Sequence, residues 1–165
     1  MSRLYWIELS AAGRMAIMAR PRAGEWLETE IAEWKVSGLD LIVSLLEREE
    51  ISELGLQRES ELCQAGGMQF VSFPIPDRGV PETLRDALQI ARSLADAMAG
   101  GRSIAIHCRA GIGRSSIIAA CALIRSGIEA GQALELIKAA RGLSVPDTEE
   151  QRDWVMAFGS ACQGR

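Results

Sequence analysis

Ser103-Ile104-Ala105-Ile106-His107-Cys108-Arg109-Ala110-Gly111-Ile112-Gly113-Arg114-Ser115-Ser116-Ile117-Ile118 is the stretch from which the fold follows. Ser103 to His107 is a short, mostly apolar run of strand length. Cys108 to Arg114 interrupts it with a tight loop containing two glycines. Ser115 to Ser126 is then apolar enough for a mostly buried helix, and Gly127 stands where a helix stops. A buried strand feeding a loop and a helix is a building unit of α/β domains, whose sites lie in loops after strand C-termini.

Working outward towards the N-terminus, Glu82 to Ala99 reads as a long helix with Leu84, Leu88, Ala91 and Leu94 on one side and Gly100-Gly101 as its stop. Before it, Met68 to Ile75 reads as a strand. Pro74, Pro76, Gly79 and Pro81 force the segment after it into a surface loop. Leu39 to Leu46 is a short apolar run that suits a buried strand; the charged stretch Glu47 to Glu53 follows, then a short helix near Glu59 to Gln64, and Gly66-Gly67 breaks the chain. Leu27, Ile31 and Trp34 recur at helical spacing between Trp26 and Ser37, ahead of Gly38. Leu4 to Leu9 and Met15 to Ala19, on either side of Ala11-Ala12-Gly13-Arg14, read as an edge hairpin that Pro21 ends.

Working outward towards the C-terminus, helices are expected over Glu129 to Arg141 and Thr148 to Phe158, separated by the breaker segment Gly142 to Pro146. The alternation of strands and helices gives the expected class: a single three-layer α/β domain over residues 1–165. Its central sheet is mixed but largely parallel and flanked by helices, with the hairpin adding antiparallel edge strands.

The 165 residues, 48% of them hydrophobic, can bury a core without cross-links. No apolar run is long enough to span a bilayer, and Glu8 interrupts the N-terminus where a secretory signal needs an unbroken apolar stretch, so a cytoplasmic location is expected. A net charge of -4 argues against bulk attraction to nucleic acid or an anionic membrane. Cys63, Cys108, Cys121 and Cys162 show no C-x-x-C pairing, and the chain has one histidine, which leads to the expectation of free thiols, no metal and no cofactor.

The loop carries chemistry. Gly111 and Gly113 can adopt positive φ, so successive N–H groups can converge on one point at the positive end of the following helix, a cradle for a tetrahedral oxyanion. The loop residues Cys108, Arg109, Ala110, Gly111, Ile112, Gly113 and Arg114 would together bind the anion. Arg114 supplies a planar, permanently charged fork for two phosphate oxygens and for the charge that develops as a bond breaks. Cys108 sits in the same positive potential, which favours the thiolate, an in-line nucleophile.

His107-Cys108-Arg109-Ala110-Gly111-Ile112-Gly113-Arg114-Ser115 fills every fixed position of His-Cys-x-x-Gly-x-x-Arg-Ser/Thr, the signature of the protein tyrosine phosphatases. The whole chain, its second half above all, resembles the small dual-specificity phosphatases, the kinase-associated phosphatase group and bacterial relatives of similar length in particular. That resemblance implies a cysteine-dependent hydrolase of phosphomonoesters with a phosphocysteine intermediate and no metal. In Phe73-Pro74-Ile75-Pro76-Asp77-Arg78-Gly79-Val80-Pro81 it makes Asp77 the general acid, although Pro-Asp-x-Gly is also an ordinary turn. It makes His107 an organiser of the loop. Ser115 either caps the helix or donates to the Cys108 sulfur. Gln151 either positions the hydrolytic water or closes a capping box with Thr148. Cys121 belongs to the core, and a Cys63–Cys108 disulfide is a pairing that the sequence cannot place.

Arg109 is the only basic loop residue besides Arg114, and relatives that act on inositides or RNA ends tend to carry several. Phosphoproteins, phosphotyrosine first, are therefore the expected substrates of a monomeric enzyme. A phosphate-reading module without turnover, a phosphatase of phosphoinositides or RNA ends, and a rhodanese-like sulfurtransferase are the rivals. The long signature and separate aspartate loop weigh against the last of these.

Overall fold

The computed structural model describes residues 2–163; Met1, Gly164 and Arg165, the ends of the expected 1–165 domain, lie outside them. In chain order the elements are β1 (Tyr5–Trp6), β2 (Arg14–Met18), a 3-10 turn (Gly24–Trp26), α1 (Leu27–Val36), β3 (Leu41–Ser44), α2 (Arg48–Leu54), α3 (Glu59–Ala65) and β4 (Gln69–Ser72). They continue with α4 (Leu84–Ala99), β5 (Ser103–His107), α5 (Arg114–Arg125), α6 (Ala130–Arg141) and α7 (Glu149–Gln163).

The strands form one sheet in the order β1-β2-β5-β3-β4. β2, β5, β3 and β4 are parallel, and only β1 runs antiparallel, with Tyr5 opposite Ile17 and Trp6 opposite Ala16. The N-terminal hairpin exists as expected, but its second strand is not at the edge: Arg14 to Met18 pair residue by residue with Ser103 to His107. The apolar run Met15 to Met18, buried throughout, explains this, since an edge strand would leave one side of it open.

Alternation along the strands divides the core between the two faces. Met15, Ile17, Leu41, Val43, Ile104 and Ile106 pack with α4, α5, α6 and α7, while Met18, Ile42 and Ala105 pack with Leu27, Ile31, Trp34 and Cys63 of α1 and α3. The result is the expected three-layer α/β sandwich. α5 is buried from Arg114 to Ile124, as its apolar composition requires.

Three expectations change. The charged stretch Glu47 to Glu53 is largely a helix, α2. Acidic residues in its first turn suit the helix dipole, the Glu50 carboxylate accepts from the Glu47 N–H, and Gly55 at φ +70° ends it. The buried stripe of α4 is Ala87, Ile90, Ala91, Leu94 and Met98; Leu84 points to solvent because the helix begins there, next to the Thr83 cap. α7 runs on past Phe158 to Gln163.

Candidate active site

Parallel strands bring their C-terminal ends to one edge of the sheet, and four segments meet there: the Cys108–Arg114 loop after β5, the start of α2 after β3, the Asp77 loop after β4, and the chain leaving β2. The N-terminus of α7 closes the fifth side through Gln151.

The loop can be followed bond by bond, because every buried main-chain group needs a partner. The His107 carbonyl accepts from the Leu45 N–H at 3.0 Å, Arg109 from the Arg20 N–H at 3.2 Å, and Gly113 from the Ile117 N–H at 3.1 Å. The side chain of Arg141 holds the Ala110 and Gly111 carbonyls, at 3.4 and 2.9 Å. The carbonyls are thus turned outward. Among the described residues no acceptor takes the N–H groups of residues 109–114, which is the arrangement an anion cradle requires.

The two glycines serve different ends. Gly111 takes the expected positive φ, +70°, and a Cβ there would lie 2.5 Å from the Met18 carbonyl carbon. Gly113 does not: its φ is -88°. It is glycine for lack of space, since a Cβ would come within 2.8 Å of Gln151 Oε1 and 3.0 Å of Asp147 Cβ.

Cys108 is 3% exposed, and its Sγ lies 3.4 Å from Ser115 Oγ, a hydroxyl able to donate to a thiolate. α5 begins at Arg114, which puts Ser115 inside the first turn and removes its expected role as a helix cap. His107 is wholly buried; its Nε2 lies 2.5 Å from Glu59 Oε1 and its Nδ1 3.3 Å from the Cys108 carbonyl. The ring thus bridges the Glu59 carboxylate and the Cys108 carbonyl and fixes the base of the loop.

Arg114 is 2% exposed and held by a fork. Its Nη1 donates to Glu50 Oε2 at 2.8 Å and to the Ile75 carbonyl at 2.9 Å; its Nη2 donates to Glu50 Oε1 at 3.0 Å and to Asp77 Oδ1 at 3.1 Å. Among the described residues nothing accepts from its Nε, which remains for an anion. Burial alone would depress the guanidinium, but the Glu50 bonds and the charges of Cys108, Glu50 and Asp77 outweigh it and raise its pKa above the ordinary value. Burial would likewise raise the Glu50 carboxyl; the Arg114 bond, reinforced by the Glu47 N–H and Arg109, holds it below the ordinary range.

Asp77 is mostly exposed, with its carboxylate against the Arg114 guanidinium. Gln151 is fully buried. Its N–H donates to Thr148 Oγ1 at 3.1 Å and its Oε1 accepts from the Thr148 N–H at 3.1 Å, which is a complete capping box. Its Nε2 also donates to the Gly79 carbonyl at 3.0 Å and so ties the Asp77 loop to α7. Arg109 lies 3.4 Å from Glu50 and 3.5 Å from Glu53, and Arg78 lies 3.6 Å from Asp147.

The sequence reading missed Glu50, Glu59 and Arg141. Glu50 lies in a stretch read only as charged, although Glu-x-x-Glu before an apolar position is a capping pattern; nothing local marks the other two.

All four cysteines are free. Cys63 packs with the α1–α3 core, where burial and Glu59 push its thiol up to about 12, and burial within α5 raises the Cys121 thiol well above its ordinary value. Among the described residues no three His, Cys, Asp or Glu side chains are placed to hold a metal ion, and no helix is long and apolar enough to cross a membrane.

Residues 16–128 match the family model described as "Polymorphic toxin system, DSP-PTPase phosphatase". Cyclin-dependent kinase inhibitor 3 of Rattus norvegicus is 29% identical over 134 residues, 80% of this chain, and protein tyrosine phosphatase domain-containing protein 1 of Danio rerio is 33% identical over 144 residues, 78% of this chain. The matches cover 63% and 19% of those proteins. Among solved structures, a kinase associated phosphatase whose catalytic site cysteine was changed to serine superposes with a TM-score of 0.87 at 22% identity, covering 99% of this chain and 97% of that one. Tk-PTP in its active form gives a TM-score of 0.74 at 27% identity, covering 90% and 92%.

Proposed function

Because the chain belongs to the DSP-PTPase phosphatase family, we propose that it hydrolyses phosphomonoesters of proteins, phosphotyrosine first, through a phosphocysteine intermediate. The observation that carries the reading is the cradle itself: the outward-turned carbonyls and unclaimed N–H groups of residues 109–114 around a buried cysteine. Backbone N–H groups and a fixed guanidinium stabilise charge without reorganising at the moment of reaction.

In the proposed cycle the phosphate oxygens bind the cradle N–H groups and Arg114. The Cys108 thiolate attacks phosphorus in line, forming the S–P bond as the P–O bond to the leaving group breaks. Asp77 gives its proton to the departing oxygen. Water then attacks the phosphocysteine, Asp77 takes a proton from it, and the Cys108 thiolate leaves with the Ser115 hydroxyl donating to its sulfur. Gln151 would position that water by exchanging its bond to the Gly79 carbonyl for one to the water.

The ion pairs at the mouth favour singly phosphorylated groups on proteins over inositide polyphosphates. Arg109 already faces Glu50 and Glu53, and Arg78 faces Asp147, so neither is a free cation for a second phosphate. The reading includes a monomer in the cytoplasm, whose reducing conditions keep a nucleophilic thiol from oxidation.

Steady-state hydrolysis of p-nitrophenyl phosphate with EDTA present tests it. Turnover should resist EDTA, yield to vanadate, and vanish in Cys108→Ser. Asp77→Asn should lower kcat about a hundredfold or more on an alkyl phosphate, and much less on p-nitrophenyl phosphate, whose leaving group hardly needs a proton. Equal losses on both substrates would remove Asp77 from the acid role, and folded wild type without turnover would favour a phosphate-reading module.

A further inference from the structure

We infer that Arg141, the last residue of α6, is a positioning residue for the anion cradle, holding two consecutive peptide planes so that the N–H groups of Gly111 and Ile112 face the bound phosphate. This deepens the phosphatase reading and rests on it.

Arg141 Nε donates to the Gly111 carbonyl at 2.9 Å and Nη2 to the Ala110 carbonyl at 3.4 Å. In a trans peptide the carbonyl of one residue and the N–H of the next point in opposite directions. Drawing the Ala110 and Gly111 carbonyls towards Arg141 therefore aims the N–H groups of Gly111 and Ile112 away from it.

The neighbouring carbonyls of the loop are held by other means: His107 and Arg109 by main-chain donors, and Cys108 by the His107 ring. Those of Ala110 and Gly111 are held instead by a side chain from another helix. They flank Gly111, the loop residue with positive φ and the widest conformational choice. A flip of either plane next to a glycine is the easiest distortion open to the loop, and it would replace a cradle N–H by a carbonyl oxygen that repels phosphate.

The guanidinium is itself held in place. It lies over the Tyr5 ring, 4.1 Å from the centroid, a cation–π contact with the short edge strand β1. β1 therefore supplies the shelf on which Arg141 rests, and the last turn of α6 favours a cation there.

Arg141→Met, Arg141→Lys and Tyr5→Leu in the full chain test this, with four readouts: thermal midpoint, vanadate affinity, the kcat and KM of p-nitrophenyl phosphate hydrolysis, and the ratio of Cys108 alkylation by iodoacetate to that by iodoacetamide. That last ratio reports whether the loop still attracts an anion, independently of turnover. Arg141→Met should weaken vanadate binding about tenfold or more, raise KM and lower the alkylation ratio. Arg141→Lys, with one compact donor group, should fall between, and Tyr5→Leu should shift both readouts less in the same direction. Folded Arg141→Met with wild-type vanadate affinity and alkylation ratio would overturn the inference. If Arg141→Met does not fold, unchanged vanadate affinity in the other two variants would overturn it instead. Wild type that binds vanadate but releases no p-nitrophenol would overturn the enzyme reading alone, leaving Arg141 to be judged on the binding data.

Discussion

Arg114 and Glu50 form a nearly solvent-free pair, each satisfying the other through two parallel bonds of 2.8 and 3.0 Å. Removing one member of such a pair leaves a buried charge without its partner, which costs about 3–5 kcal/mol. Glu50→Ala should lower stability by that order and kcat/KM for p-nitrophenyl phosphate about a hundredfold, because Arg114 loses its orientation. Glu50→Gln keeps one acceptor and should lose less of both. The pH dependence follows from the depressed Glu50 carboxyl. Its contribution to stability is complete above the unfolded carboxylate value of about 4.3 and disappears as pH falls through the lower folded value. The gap between the urea midpoints of wild type and Glu50→Gln should therefore be full at pH 7 and narrow progressively as the pH is lowered below about 4.

At the scale of elements, the site is a junction between the N-terminal ends of α5 and α7 and the loop that follows β4. Gln151 is the fastener: it completes the capping box of α7 and reaches the Gly79 carbonyl. Gly113 leaves the room it needs. Gly113→Ala should push Gln151 aside and cost about 1–3 kcal/mol, with a fall in kcat as the Asp77 loop comes loose. Gln151→Ala opens space at the same point, so the double variant should be less unstable than the sum of the two single changes. Additive thermal midpoints would show that the two residues do not compete for that space.

Across the whole molecule the net charge is -4, and Arg109 and Arg78 each face a carboxylate. If the proposed substrate is a phosphopeptide, the net negative charge should favour basic flanks over acidic ones. A phosphotyrosine peptide flanked by lysines should show a KM about threefold or more below that of one flanked by glutamates at low ionic strength. The gap should close near 0.5 M salt, where the Debye length is only about 4 Å. A gap that persists in high salt would point to specific contacts rather than the general field.

The residues of one continuous segment carried most of what could be read in advance. Ser103 to Ser126 contains strand, loop, cysteine, arginine and buried helix within 24 consecutive positions, and local periodicity with glycine placement was enough to arrange them. Asp77 was singled out through the resemblance of its proline-bounded loop to that of the small dual-specificity phosphatases, since Pro-Asp-x-Gly by itself reads as an ordinary turn. What local pattern could not decide is what the neighbours of that segment are. The insertion of β5 between β2 and β3, the Glu50 fork on Arg114, the Glu59 bond to His107 and the Arg141 hold on the loop carbonyls all join residues at least 30 positions apart. Such pairings arise only when the sheet brings its strand ends to one edge. An isolated glutamate or arginine on a helix carries no local sign of that, because the charge that it will face is supplied by another part of the chain.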